Sequence, residues 1–238
     1  MKKAVCLISG GLDSCVTAFT AKSKGFEIYA LTFCYGQKHR KELKSAEKIA
    51  EKLGCVDHIV FNLDLDVFGG SSLLDEKIKV EQDHKLDKIG EKIPSTYVPA
   101  RNTIFLSIAL AYAESLDADA VFIGATSSDY SGYPDCRPEF FNAFQKMADL
   151  ATKKGREGVS IDIKTPLLKL SKDEIIKKGL ELDVPFEHTW SCYKGEKKAC
   201  GRCDSCLLRL KGFKKAGSSD PIKYSFYPKW YETKKNFK

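Results

Sequence analysis

No apolar run in this sequence approaches the roughly 20 residues that a helix needs to cross a bilayer. The chain opens MKKAVCLISGG, with two lysines and a short apolar stretch. That stretch is only about five residues, below the ~7–15 of a secretory leader, and runs straight into glycines and an aspartate. It reads as a first buried strand, and a cytoplasmic protein is expected. Two familiar nucleotide loops are missing as well. Neither G-x-x-x-x-G-K-[ST] nor G-x-G-x-x-G follows the first strand, so phosphoryl transfer through a loop lysine is poorly supported. Internal repeats and low-complexity stretches are absent. Histidine is scarce at four residues. His39 and His188 are candidate proton carriers, although a lone histidine is more often a surface or hydrogen-bonded structural group.

What is present supports a sizeable core. Hydrophobic residues make up 43% and aromatics 11% of 238 residues, enough for one α/β domain with a small appendage. The net charge of +7 admits two readings. Clustered lysines neutralise nucleic-acid phosphates, whereas lysines scattered among glutamates, as in HRKELKSAEKIAEKLG, form an ordinary solvated surface. The nine cysteines divide into two groups. Cys6, Cys15, Cys34, Cys55 and Cys136 are dispersed, mostly in apolar segments, where free cysteine behaves as a small hydrophobe. Cys192, Cys200, Cys203 and Cys206 are bunched, which in a reducing compartment argues for metal rather than disulfides.

Strand-like and helix-like segments alternate. AVCLIS, FEIYALTFCYG, VDHIVFNLD, DAVFIGATS and VSIDIKTPLL read as strands. The helices expected between and after them follow Asp13, cover HRKELKSAEKIAEKL and NTIFLSIALAYAESL, then PEFFNAFQKMADLATKKG and SKDEIIKKGLELD. Ser171 and Glu174 form an S-x-x-E capping box at the start of the last. The polar stretch from about Asp66 to Pro99 lacks periodicity and reads as a long excursion near the site. Alternation of this kind predicts a doubly wound, parallel, Rossmann-like α/β sheet, with ligands at the carboxyl ends of its strands. A boundary near Pro185 gives an α/β domain over 1–185 and a cysteine-bearing segment with the tail over 186–238.

ISGGLDS closes the first strand. A strand–helix loop offers unpaired N–H groups and the positive end of a helix dipole, and glycines let phosphate oxygens approach. The bland alternative is a tight glycine turn with Asp13 as a helix cap. The cysteines of CYKGEKKACGRCDSC are spaced C-x7-C-x2-C-x2-C. Four thiolates satisfy a tetrahedral Zn²⁺ and leave no open position, so the ion would be structural. An iron–sulfur cluster is the rival.

The loop resembles the SGGxDS pyrophosphate loop of N-type ATP pyrophosphatases. With YVPARNTIFLSIA, DYSGYPDCRPEFFNAF and TWSCYKGEKKACGRCDSCLLRLKGF, the chain resembles, nearly end to end, the 7-cyano-7-deazaguanine synthase family of queuosine precursor biosynthesis. GATSSDYSGYP departs from the family's usual turn there, which puts contacts of Thr126 to Ser128 in doubt. The resemblance implies an adenine nucleotide alpha hydrolase-like fold and an ATP-dependent ligase. Such an enzyme activates the carboxylate of 7-carboxy-7-deazaguanine, adds ammonia, and activates the resulting amide to give the nitrile. No glutaminase signature is visible, so free ammonia is the expected donor. ATP with Mg²⁺, one structural Zn²⁺ per chain and a homodimer are expected, with no obligatory nucleic acid and no membrane. A tRNA-modifying pyrophosphatase and a zinc-ribbon nucleic-acid binder without turnover are the alternatives.

On this reading the nucleotide loop spans Ile8, Ser9, Gly10, Gly11, Leu12, Asp13, Ser14, Cys15, Val16, Thr17 and Ala18. Ser9 and Ser14 donate hydroxyls to the departing pyrophosphate, and Asp13 helps hold Mg²⁺. Arg101 is expected to reach phosphate or carboxylate; Asn102 either helps it or caps the helix. Asp129, Tyr130, Asp135 and Arg137 are candidates for the purine-like edge, against the alternative of a polar surface turn. Cys192, Cys200, Cys203 and Cys206 are the metal ligands.

Overall fold

The computed structural model describes residues 1–36, 41–75, 77–78, 82–84, 93–126, 133–194 and 197–231. Five strands form one parallel sheet: β1 (Lys2–Leu7), β2 (Phe26–Cys34), β3 (Asp57–Asn62), β4 (Ala120–Phe122) and β5 (Asp162–Lys164), in the order β3-β2-β1-β4-β5. All five expected strands are present. β4 and β5 are shorter than their apolar runs suggested, because their pairing spans three registers only.

Strand side chains alternate between two cores, as they must when both faces of a parallel sheet are covered. Ala4, Cys6, Ile28, Ala30, Ala120 and Phe122 face α1 (Leu12–Ser23) and α2 (Lys41–Leu53). Val5, Leu7, Leu31, Phe33, Val121 and Ile123 face α3 (Arg101–Ser115) and α4 (Pro138–Ala151). β1 is central, and Ala4, Val5 and Cys6 have no exposed surface. α5 (Lys172–Glu181) starts at the expected capping box, with Ser171 N–H donating to Glu174 Oε2 at 2.8 Å. The chain steps outward from β1 to β3 and then returns to place β4 on β1's other flank. The loops after β1 and β4 therefore diverge at a topological switch, where a ligand crevice is expected.

Two features differ from the sequence reading. The helix expected to run through ATKKG breaks at Thr152, which is extended (φ −106°, ψ 153°) and accepts Gly155 N–H to cap the short turn Lys153–Arg156. A further helix, α6 (Asp204–Lys215), begins inside the cysteine cluster. Its Phe213 joins the core under β1, while Leu210 and Cys206 join a third, smaller core with Trp190, Ile222 and Tyr224. The excursion after β3 does return to the site. Ser72, Leu73 and Thr96 line the main cavity, and Asp83 N–H donates to Arg202 O in the cysteine segment at 2.9 Å.

Candidate active site and metal centre

The loop after β1 is fixed from both ends. Ile8 donates to Leu31 O and accepts from Thr32 Oγ1 at 2.7 Å. Ser9 and Ser14 bring their hydroxyls within 3.0 Å of each other, and Ser14 Oγ donates to Gly11 O at 3.0 Å. Gly10 has φ +84°, where a side chain is strained, and a Cβ there would lie 2.2 Å from Glu42 O. Its bareness therefore serves the packing of loop against α2. Gly11 caps α1 with no side chain, so the helix's leading N–H groups point toward the crevice without a built-in acceptor. From the other flank Gly124, after β4, presses on the loop: a Cβ there would meet Ser14 N at 2.9 Å.

A lysine from far along the chain reaches the loop. Lys172, in the first turn of α5, places Nζ 2.7 Å from each oxygen of Asp13. Both side chains are mostly covered, which makes this a more demanding pair than a surface salt bridge.

The loop opens onto a cavity of about 290 Å³. Around it stand Ser9, Gly11, Asp13 and Ser14 from the loop and Glu42 from α2. Arg101 and Asn102 from α3, Tyr133 and Cys136 beyond β4, and Trp190 to Tyr193 complete the walls. Phe33, Tyr35 and Phe105 give it aromatic faces; Phe33 and Phe105 are stacked at 3.9 Å. A mostly apolar cleft with a few convergent polar groups is the usual form of a small-molecule site. Burial alone would weaken the Arg101 proton, but Tyr35, Tyr133, Cys136 and Asp135 around it prevail and hold the guanidinium firmly cationic. Glu42 is driven the other way. Burial pushes its carboxyl up to about 7, Arg101 pulls it back, and Cys192 adds to the rise.

The four clustered cysteines are all buried, and their sulfurs lie within 4.8 Å of one another. Backbone N–H groups are aimed at them: Cys200 N donates to Cys192 Sγ at 3.3 Å, and Arg202 N and Cys203 N donate to Cys200 Sγ. Hydrogen bonds from Cys192, Cys203 and Cys206 pull the Cys200 thiol far below its ordinary range, while Cys203 and Cys206 are pushed up by their neighbours. Four thiols this close cannot all ionise unless a cation replaces their protons. The donor set therefore fits a tetrathiolate metal ion. Gly201 lets the knuckle close, since at φ +71° a Cβ would fall 1.8 Å from Phe226 O. The centre is joined to the loop by Trp190, whose N–H donates to Gly10 O at 2.8 Å and whose indole donates to Cys192 O at 3.0 Å.

The family model described as queuosine biosynthesis protein QueC matches residues 3–217. The chain belongs to the QueC family. It is 56% identical over 230 residues to the 7-cyano-7-deazaguanine synthase of Thermoplasma volcanium, covering 97% of this chain and 94% of the relative. The enzyme of the same name from Thermoplasma acidophilum is 55% identical, covering 97% and 95%. That from a Nostoc strain is 53% identical, covering 94% and 98%.

In this QueC chain Ile8, Ser9, Gly11, Leu12, Asp13 and Ser14 line the cavity. Cys15, Val16, Thr17 and Ala18 are buried in α1 beneath it, so whatever they do for a nucleotide is done through the helix they build. Arg101 and Asn102 reach the cavity. Asn102 is also held in place: its N–H donates to Asp135 Oδ2 at 2.9 Å, and its amide donates to Asp135 O and Cys136 Sγ. Asp135 is buried and Arg137 is exposed beside Glu139. His188 lies by Glu187 and away from the cavity wall. His39, Asp129 and Tyr130 fall outside the described residues. Glu42 and Lys172 were missed from the sequence, because both sit in ordinary charged helix starts and become special only by what folds over them.

Proposed function

We propose that this chain is an ATP-dependent ligase that converts 7-carboxy-7-deazaguanine and ammonia to 7-cyano-7-deazaguanine. The observation that carries the reading is that loop, Arg101 and cysteine segment all open onto one cavity, in a chain 56% identical to a curated synthase of that name. The chemistry needs a poor oxygen leaving group made into a good one, twice. In the first round ATP activates the substrate carboxylate and ammonia displaces AMP to give the amide. In the second the amide oxygen is activated, and loss of AMP leaves the nitrile.

The loop's contribution is electrostatic. The open N-terminus of α1 and the hydroxyls of Ser9 and Ser14 would stabilise charge on pyrophosphate as it departs. Arg101, rigidly cationic, would fix the α-phosphate or the substrate carboxylate. The aromatic walls and Tyr133, which hydrogen-bonds Thr96 at 3.0 Å, suit a flat deazapurine. Magnesium would enter with ATP. Asp13, held in place by Lys172 on both oxygens, would help hold that ion.

Cys192, Cys200, Cys203 and Cys206 would hold one zinc ion per chain, which supplies a structural cross-link rather than chemistry. On this reading residues 186–238 are the metal-binding segment of the α/β body at 1–185. A homodimer belongs to the same proposal, and light scattering would distinguish it from the 26.6 kDa monomer. A cytoplasmic location also belongs to it; among the described residues no helix is long and apolar enough to cross a membrane.

Incubation with ATP, ammonia and 7-carboxy-7-deazaguanine, followed by mass detection, should yield the amide and then the nitrile, with AMP and pyrophosphate. Absence of both products under these conditions overturns the assignment. A brown preparation with visible absorption would replace zinc by an iron–sulfur cluster.

A further inference from the structure

Among the described residues the cavity is lined by two carboxylates, Asp13 and Glu42. Asp13 is neutralised by Lys172 on both oxygens. The Glu42 carboxylate has no hydrogen-bond or ion-pair partner among the described residues, and Arg101 acts on it through its field alone. The desolvation of a carboxylate so placed is offset only in part by the field of Arg101, so the wall presents an unfilled demand for a cation. Its position is tied to the loop, because the bare backbone of Gly10 lies against the carbonyl of Glu42 itself.

The ligase reading above, on which the following rests, needs nitrogen in a form that can attack. Ammonia, like a lysine amine, is mostly protonated at neutral pH, and ammonium has no lone pair to offer. We propose that Glu42 binds ammonium in this cavity and takes its proton, releasing ammonia beside the activated carboxyl carbon. The carboxylate accepts one N–H proton, and the freed lone pair attacks the carboxyl carbon of the adenylate. A C–N bond forms, the C–O bond to AMP breaks, and AMP leaves with that electron pair. The surplus proton on nitrogen leaves with the departing phosphate, giving the neutral amide.

The groups facing Glu42 are compatible with this role. Arg101 on α3 is engaged with the Tyr35 hydroxyl, and Asp13 with Lys172. The Lys41 ammonium is directed away, onto Lys197 O at 3.0 Å and over the Trp190 ring. A carboxyl that burial holds near 7 is also suited to exchanging a proton at neutral pH.

The test uses the metal-loaded full chain and ammonium chloride as the varied substrate. Glu42→Gln should raise the apparent KM for ammonium and lower turnover, by roughly a hundredfold in kcat/KM. Pyrophosphate exchange into ATP, driven by 7-carboxy-7-deazaguanine with no ammonium present, should stay within about twofold of wild type. Glu42→Asp should recover part of the ammonium-dependent rate. Unchanged ammonium kinetics in Glu42→Gln overturn the proposal. So does a parallel loss of the exchange reaction, which would make Glu42 a support for nucleotide binding. If wild-type enzyme catalyses exchange but never forms amide, the ligase reading and this inference both fall.

Discussion

The loop after β1 and the cysteine knuckle face the same cavity but are held there by different means. The loop hangs between β1, whose middle has no exposed surface, and the start of α1. Gly10 and Gly124 lock it by steric fit. The knuckle has a small core of its own and four thiols that repel one another's charge unless a cation joins them. One region is positioned by packing, the other by coordination. Perturbations should therefore separate them.

The largest effect should follow loss of the metal. Cys203→Ser, or chelation of the wild type, removes binding free energy that in isolated zinc modules is on the order of 10 kcal/mol. Metal content should fall to zero and residues 186–231 should become open to protease and hydrogen exchange, with β1 and α1 still protected. If the whole sheet unravels with equal ease, the two regions are one cooperative unit and the contrast is broken. Next comes Asp13→Ala, which should cut pyrophosphate release by about 10³-fold or more while leaving metal content unchanged. Undiminished release would remove the loop from the chemistry.

Gly10→Ala combines a strained φ with a collision against the α2 backbone, and should cost about 3 kcal/mol in denaturant unfolding. It should leave the metal site loaded, so a metal-depleted variant would show that loop and knuckle are more tightly joined than their packing suggests. The smallest effect concerns pH. The folded pKa of Glu42 is raised to about 7 from an ordinary value near 4.5, so its carboxyl costs stability as pH climbs through that interval. Glu42→Gln should therefore flatten the fall in Tm between about pH 4.5 and 7. A slope equal to wild type would mean the carboxyl is not desolvated as described.

The sheet was legible because its strands are continuous apolar runs punctuated by glycine, and α2 because Ala46, Ile49, Ala50 and Leu53 recur at helical spacing. α6 was hidden by its own cysteines. Leu207, Leu210 and Phe213 carry a helical stripe, but Cys203 and Cys206 drew the eye to ligation instead. The loop residues and the four thiols announce themselves as short motifs. Glu42 does not, since a glutamate after a lysine looks the same in solvent as in a cavity wall. Lys172 likewise is separated by 159 positions from the aspartate it clamps. What sequence conceals here is desolvation, a property of neighbours rather than of the residue.

The hydrogen bond from Trp190 to Gly10 joins an early residue to a late one. A ribosome delivers Gly10 before Trp190, and most of the α/β layer emerges between them. Until then the carbonyl of Gly10 lacks this donor. The loop after β1 is thus completed by the segment that carries the four cysteines, so on the ligase reading the supply of their ion would set when a newly made chain first engages ATP.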